Sequence, residues 1–343
     1  MRIEVTATAP RDWDAYVAAH PSASAYHTSA AVSIGVRAFR LPARFIVARD
    51  ATGAVQGVLP LVEQSSLLFG RFLVSVPFFT YGGILASDLA AGAALIDAAI
   101  RLARERRADH LELRHIEASL DSALAVRDDK VSMVLKLPAS IEALGKQLGS
   151  KLRSQIKRAE RESPVVHWGG SELIPRFYGV FASTMHALGT PVYPRKFFEI
   201  ALDAFGDASR VIAVEVNGNV EAAAIIVRHR DRMEVPWAAA TEGAKRSGIN
   251  MRMYWELLSH SLRAGAPAFD FGRSSVDSGT YKFKAQWGAQ PMQLHWLYWL
   301  ARGDSVPKLN ASNPKYALAS RMWQRLPLSV ANTIGPWIVR NLP

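Results

Sequence analysis

Residues 211–272 read VIAVEVNGNV EAAAIIVRHR DRMEVPWAAA TEGAKRSGIN MRMYWELLSH SLRAGAPAFD FG, and the order of patterns in this stretch decides the fold. The run 211–216 is apolar and strand-like, the segment 217–219 (NGN) is a turn signal, and 220–229 returns as a second strand. A third strand is predicted over 233–241. Residues 250–264 then place apolar side chains at helical spacing, and 269–272 closes the unit as a further strand. Residues 44–116 repeat the same order. Strands over 44–49 and 54–63 flank the turn 50–53 (DATG), a third run covers 72–85, the alanine-rich stretch 88–107 has helical spacing, and 110–116 alternates as a strand. Each copy exceeds the roughly 20–50-residue period of stacked repeats, so the reading is a duplicated α/β domain with mixed sheets, not a solenoid.

Between the copies, residues 141–162 (IEALGKQLGSKLRSQIKRAERE) space Ile141, Leu144, Leu148, Leu152 and Ile156 three or four apart, which predicts one amphipathic connecting helix. Lys146, Lys151, Arg153, Lys157, Arg158 and Arg161 oppose only Glu142, Glu160 and Glu162, so its solvent face is basic. The expected division is a first domain over 1–140, the basic helix over 141–163, a second domain over 164–302 and a tail over 303–343. The tail carries Pro327 and Pro336 among short apolar runs and reads as short helices packed on the second domain. Its mixture of Trp323, Ile334 and Trp337 with Arg321, Arg325 and Arg340 also suits an anionic interface.

A chain of 343 residues fits about two domains, and 49% hydrophobic with 21% charged residues excludes global disorder. Cysteine is absent, which excludes disulfides, thiolate metal sites and a cysteine nucleophile. The opening residues carry acids where a secretory signal needs a basic start and an apolar core. The most apolar stretches, 72–86 and 89–102, fall short of the ~20 residues that span a bilayer. A cytoplasmic protein is expected, without a transmembrane helix and at most peripheral to the inner face of the membrane. The net charge of +11 attracts phosphate-rich partners, leaving nucleic acid, anionic lipid and nucleotide-sugar substrates open.

The local signatures of metalloproteases, serine hydrolases, P-loop NTPases and Rossmann proteins are missing. The nine histidines form no ligand pair at helical spacing; His110 and His115 sit on a strand at odd separation and point to opposite faces, so no metal is expected. The segment 245–250 (KRSGIN) lies between a strand and a helix. There Lys245, Gly248 and Asn250 suit either a phosphate at the positive end of a helix or an ordinary basic turn with Asn250 as N-cap. Arg153 and Lys157 lie four apart, on one helix face, and near Lys151 they suit either a clamp on a substrate diphosphate or a solvated charge run. Asp270, in an apolar strand, must reach solvent or find a partner such as Arg273; buried in a cleft, it is a candidate base. Tyr81, Tyr193, Trp237 and Tyr254 are candidates for a cleft wall or for the core.

The most specific stretches are KLRSQIKRA (151–159), FDFGR (269–273) and GTYKFKAQWG (279–288). With VSVPFFTYGGIL (74–85), GTPVYPRKF (189–197) and NPKY (313–316), they carry a resemblance across nearly the whole chain. The repeated unit resembles the GNAT acyltransferase fold, from whose pyrophosphate loop, Gln/Arg-x-x-Gly-x-Gly/Ala, Lys245 and Asn250 depart. The tandem unit with a basic helix between copies is similar to the FemAB family, and the added motifs to a subgroup associated with PEP-CTERM/exosortase loci and exopolysaccharide biosynthesis. FemAB enzymes add amino acids from aminoacyl-tRNA to the peptide stem of a peptidoglycan precursor. The resemblance implies tandem GNAT-like domains joined by a basic helix. It also implies an acyl or aminoacyl transfer onto an amine of a cell-wall or exopolysaccharide precursor. Lys284 then matches the family lysine that meets charge on the oxyanion or leaving group, with Tyr281 and Phe283 beside it. The donor is aminoacyl-tRNA or acyl-CoA, no cofactor is tightly bound, and the partner is a phosphate-bearing envelope precursor. No sequence-specific DNA binding is expected. A GNAT N-acyltransferase using acyl-CoA, and a non-catalytic basic module binding nucleic acid or an anionic surface, are the alternatives.

Overall fold

The structure is a computed structural model and describes residues 1–66, 70–116, 124–303, 306 and 314–342. Two compact units emerge, one made of Met1–Val131, Gln293–Lys308 and Arg340–Pro343, the other of Ser132–Met292 and Leu309–Val339.

In chain order the first half contributes β1 (Arg2–Thr6), α1 (Trp13–Ala19), α2 (Ser29–Phe39), β2 (Ala43–Arg49), β3 (Val55–Ser66), β4 (Gly70–Val74), β5 (Leu85–Ala86), α3 (Leu89–Glu105), β6 (His110–His115), β7 (Ala125–Arg127) and β8 (Lys130–Lys136). The β2–β3 hairpin forms where alternation predicts it. Its turn is tied by Asp50, whose Oδ1 accepts from the Thr52 and Ala54 amides and the Thr52 hydroxyl. Asp88 caps α3 by accepting from the Ala91 amide at 2.7 Å. The small residues Ala91, Ala98, Ala99 and Ala103 let that helix lie close on Ile46, Leu59, Leu73 and Leu111 of the sheet. The strand expected over 72–85 stops at Val74. Pro77 cannot donate to a ladder and Gly82 sits at φ 151°, so the chain leaves the sheet and returns only at β5.

The second half contributes α4 (Ile141–Gln147), α5 (Ser150–Ala159), β9 (Val165–Gly169), α6 (Ile174–Ala187), α7 (Arg195–Phe205), β10 (Ser209–Val216), β11 (Asn219–His229), β12 (Arg232–Ala240), α8 (Glu242–Ser247), α9 (Ile249–Arg263), β13 (Ala268–Ser275), α10 (Gly279–Ala285), β14 (Gln290–Gln293), β15 (His295–Leu300), α11 (Pro314–Gln324) and α12 (Leu328–Val339). The single connecting helix expected over 141–162 is two helices and a 3₁₀ turn. Leu148 is buried and extended, and Gly149 is extended as the N-cap of α5, so the hydrogen-bond ladder breaks between them.

One sheet has the order β1-β2-β3-β4-β6-β15-β7, and the other, from its far edge, β9-β10-β11-β12-β13-β8-β14. The two orders correspond strand for strand, as the repeat predicts. They also exchange a strand: β15 runs antiparallel to β6 in the first sheet, with Tyr298 opposite Glu112, while β8 lies beside β13 in the second. The domain borders expected at 140 and 302 therefore give way to discontinuous units, because ladder hydrogen bonds and not chain order decide membership. The helices at 141–163 belong to the second unit. The tail is divided, since Gln64 of the first unit donates to Arg340 O at 2.9 Å.

Candidate active site

β12 and β13 are parallel and pair through Arg232–Ala268, Met233–Phe269 and Glu234–Asp270. Their ladder ends there although both strands run on. Two residues past Asp270, Gly272 takes φ 76°, a conformation that costs glycine little. This break is filled from α10, whose first turn is capped by Ser278 accepting from the Tyr281 amide. One turn further, Lys284 points inward, 8% exposed, and its Nζ donates to Gly272 O at 2.8 Å and Arg273 O at 2.9 Å. Burial pushes the Lys284 ammonium down to about 8, with the Asp270 and Glu234 carboxylates opposing that shift and Arg273 adding to it.

Asp270 is fully buried and held on both oxygens. Oδ1 accepts from Ser132 Oγ at 2.6 Å and the Gly272 amide at 2.8 Å, and Oδ2 lies 3.7 Å from Arg232 Nη1. Oδ2 thus pairs with Arg232, a partner to which the sequence did not point; Arg273 is exposed and offers its carbonyl to Lys284. Tyr254 lies against Phe271, Phe283 and Trp287, with ring centroids 5.5, 5.0 and 6.1 Å away, an aromatic cluster that includes residues flanking Lys284 on α10 and Asp270 on β13. Burial pushes the Tyr254 hydroxyl up to about 12. The arrangement holds a cation near its deprotonation point beside two buried carboxylates. Such a cation can stabilise a developing oxyanion or give a proton to a leaving group.

The corresponding place in the first unit is closed by its own residues. β4 and β6 pair in parallel up to Val74–Glu112, the counterpart of Glu234–Asp270. Where the second unit has Gly272, the first has Arg114, 2% exposed. Its Nε donates to Glu112 at 2.5 Å and its Nη1 to the carbonyls of Val76, Pro77 and Phe79 at 3.0, 3.1 and 2.6 Å. The guanidinium also lies 4.3 Å from the Trp296 ring. Burial alone would raise the Glu112 carboxyl, but Arg114 and the Tyr298 hydroxyl hold it below its ordinary value. In both units a hydroxyl from the exchanged strand donates to the central carboxylate: Tyr298 to Glu112 at 2.7 Å, and Ser132 to Asp270.

Lys284, Asp270, Arg273, Phe283 and Tyr254 thus come together, with Tyr281 half-buried on the same helix. Tyr193 and Trp237 belong to a different cluster. Tyr193 stacks on Phe197 at 4.5 Å, and Trp237 packs edge-on against Phe197 and Phe198 as a core residue. Tyr81 is a 1%-exposed core residue of the first unit, 5.6 Å from the Tyr26 ring. Lys151, Arg153 and Lys157 are exposed on α5, and the Arg153 guanidinium folds back to donate to Leu148 O.

The segment 245–250 is not the loop that the sequence predicts. Residues 242–247 form α8, Lys245 pairs with Glu242 at 2.6 Å, and Gly248, not Asn250, is the joint that starts α9. A Cβ on Gly248 would lie 2.6 Å from Gln155 O, so this glycine serves a close approach of α5. Asn250 lies within α9, half-buried. Of the motif NPKY, Asn313 and the side chains of 314–316 lie outside the described residues. The sequence reading missed Glu234, Arg232 and Ser132. Glu234 carried the same signal as Asp270, a carboxylate in an apolar strand, whereas a serine in a short strand carries none.

Residues 147–285 match the family described as "Acetyltransferase (GNAT) domain". No curated protein matches the chain in sequence. Among solved structures it is similar to FemX, at 15% identity and TM-score 0.65, covering 92% of this chain and 100% of that one. It is also similar to L-PGS from Bacillus licheniformis, at 12% identity and TM-score 0.56, covering 93% and 98%. The tandem GNAT protein from the clavulanic acid biosynthesis pathway matches at 13% identity and TM-score 0.53, covering 89% and 100%. By fold, then, the chain is a tandem GNAT-like protein, with a GNAT acetyltransferase domain matched over residues 147–285.

Proposed function

We propose that the second unit transfers an acyl or aminoacyl group from an activated ester to an amine of a cell-wall or exopolysaccharide precursor, as FemAB-like enzymes do. The observation that carries this reading is Lys284, a buried ammonium held on two backbone carbonyls where the β12–β13 ladder ends, beside Asp270 and Glu234. In the reaction the amine nitrogen bonds to the acyl carbon and the ester C–O bond breaks. Lys284 bears positive charge against the developing oxyanion and gives its proton to the leaving oxygen, and the proton released by the attacking amine restores the Lys284 ammonium. Asp270, with both oxygens engaged, positions the Gly272 turn and sustains the charge on Lys284; the Arg114 plug in the first unit supports a reading in which the second unit carries the chemistry.

The sequence resemblance to FemAB enzymes favours aminoacyl-tRNA as donor, and the exposed cations of α5 offer a surface for a phosphate-bearing acceptor. Acyl-CoA is the second reading, favoured by the GNAT domain match over 147–285. A non-catalytic basic module is the third, favoured by the net charge alone. The decisive experiment compares envelope glycan and peptide masses in wild-type and deletion strains, followed by kinetics of Lys284→Ala on the acceptor so found. An acyl or amino-acid mass present only in wild type, with turnover about 10²–10³-fold slower in the variant, is the expected result. Full turnover in a folded Lys284→Ala protein would refute the site, and acetyl-CoA binding by titration calorimetry would select the second donor.

A further inference from the structure

In α12 both sides of a surface helix are apolar. Ala331, Gly335 and Val339, one every fourth position, face the protein, and a Cβ on Gly335 would lie 3.1 Å from Val192 N. Val330, Ile334 and Trp337 face out, the last 69% exposed. On α11, Leu318 and Met322 are likewise exposed, 59% and 62%, with Arg321 and Arg325 exposed between and after them on the same face. A helix that docks through Ala331, Gly335 and Val339 and presents Val330, Ile334 and Trp337 has an apolar face left for something other than the core of its own unit.

Charge identifies the occupant. No aspartate or glutamate follows Asp304 in the sequence, while Lys308, Lys315, Arg321, Arg325 and Arg340 do. A two-fold contact with a second copy would set this patch against itself and place the arginines of α11 near their equals, which is unfavourable. An anionic bilayer surface instead meets the cations with lipid phosphates, takes the aliphatic side chains below the headgroups and seats the Trp337 indole at headgroup depth. Neither α12, of 12 residues, nor any other helix among the described residues is long and apolar enough to cross a membrane. We infer that α11 and α12 form an interfacial docking surface for anionic phospholipid, with α12 in the membrane plane and Arg321 and Arg325 at the phosphates.

The test is flotation of the full chain with vesicles of phosphatidylcholine alone or with about 30% phosphatidylglycerol. Wild type is expected to float with the anionic vesicles only. Arg321→Gln with Arg325→Gln should lower the partition coefficient about 30-fold, at roughly five-fold per arginine near a charged surface. Ile334→Asp with Trp337→Asp should lower it at least about ten-fold, with thermal melts showing that each variant remains folded. Absence of wild-type flotation, equal partition onto phosphatidylcholine alone, or variants that float like wild type would overturn the inference. So would a wild-type dimer in sedimentation equilibrium that the Asp variants dissociate, because the face would then belong to a second copy.

Discussion

Replacing Lys284 with methionine keeps an unbranched chain of similar volume against Phe283 and Trp287 but removes the titrating group. In the folded protein this ammonium titrates at about 8, against 10.5 for an ordinary lysine. Between those values the unfolded chain binds a proton that the folded chain has released, so wild-type stability rises with pH relative to Lys284→Met. At 1.36 kcal/mol per pKa unit, the gain is roughly 2 kcal/mol between about pH 7 and pH 9.5, and about 3 kcal/mol once the pH passes the unfolded value. It is lost again as the pH falls through about 8. Urea denaturation of both proteins across that range reads the quantity directly, since titrations elsewhere in the chain cancel in the difference. Activity should move oppositely: where the charged lysine is needed, turnover falls as the pH rises through about 8. Stability curves that stay parallel over the whole range would mean that Lys284 is solvated, and the electrostatic account of the site would fail.

Arg114→Met should cost about 3–5 kcal/mol in urea unfolding, because it leaves the Glu112 carboxylate buried without its guanidinium; a loss below about 1 kcal/mol would show that Arg114 is no plug. Gly248→Ala should cost about 2–3 kcal/mol, through its φ of 91° and a Cβ 2.6 Å from Gln155 O. Gly53→Ala, at φ 89° with nothing within 4 Å of the new Cβ, should cost only about 1 kcal/mol and serves as the control. Ser132→Ala removes a donor from a fully buried carboxylate, for an expected loss of about 1–3 kcal/mol, and thermal melts that match wild type would show that water replaces the hydroxyl.

The strands of the two hairpins were legible because their apolar residues alternate across turns with strong local preferences, such as the Asn-Gly pair at 217–218. The α3 and α9 helices were legible from period alone. The exchange of β8 and β15 was not, because a strand's own residues state that it will pair but not with which partner, and the segments that pair here lie far apart in sequence. Within the site, the aromatic residues around Lys284 were a usable signal for its burial. Arg232 looked like any surface arginine until the β12–β13 register set it 3.7 Å from Asp270. The basic segment 245–250 misled for the opposite reason: composition suggested a phosphate loop, while Gly248 answers to the backbone of α5.

The reciprocal strands bear on how the chain is born. β6 leaves the ribosome early, with Leu111 and Leu113 in its sequence, but the strand that lies along it, β15, follows about 180 residues later. At a synthesis rate of ~5–20 residues per second that interval is about 10–40 s, during which an apolar strand edge stands open to other nascent chains. The second sheet has no such wait, because β8 is made before its neighbours β13 and β14. The later half can therefore close its sheet first, and the earlier half is finished by one of the last strands made. A ribosome stalled before residue 295 would release a polypeptide whose vulnerable edge lies near its beginning, far from the point of interruption.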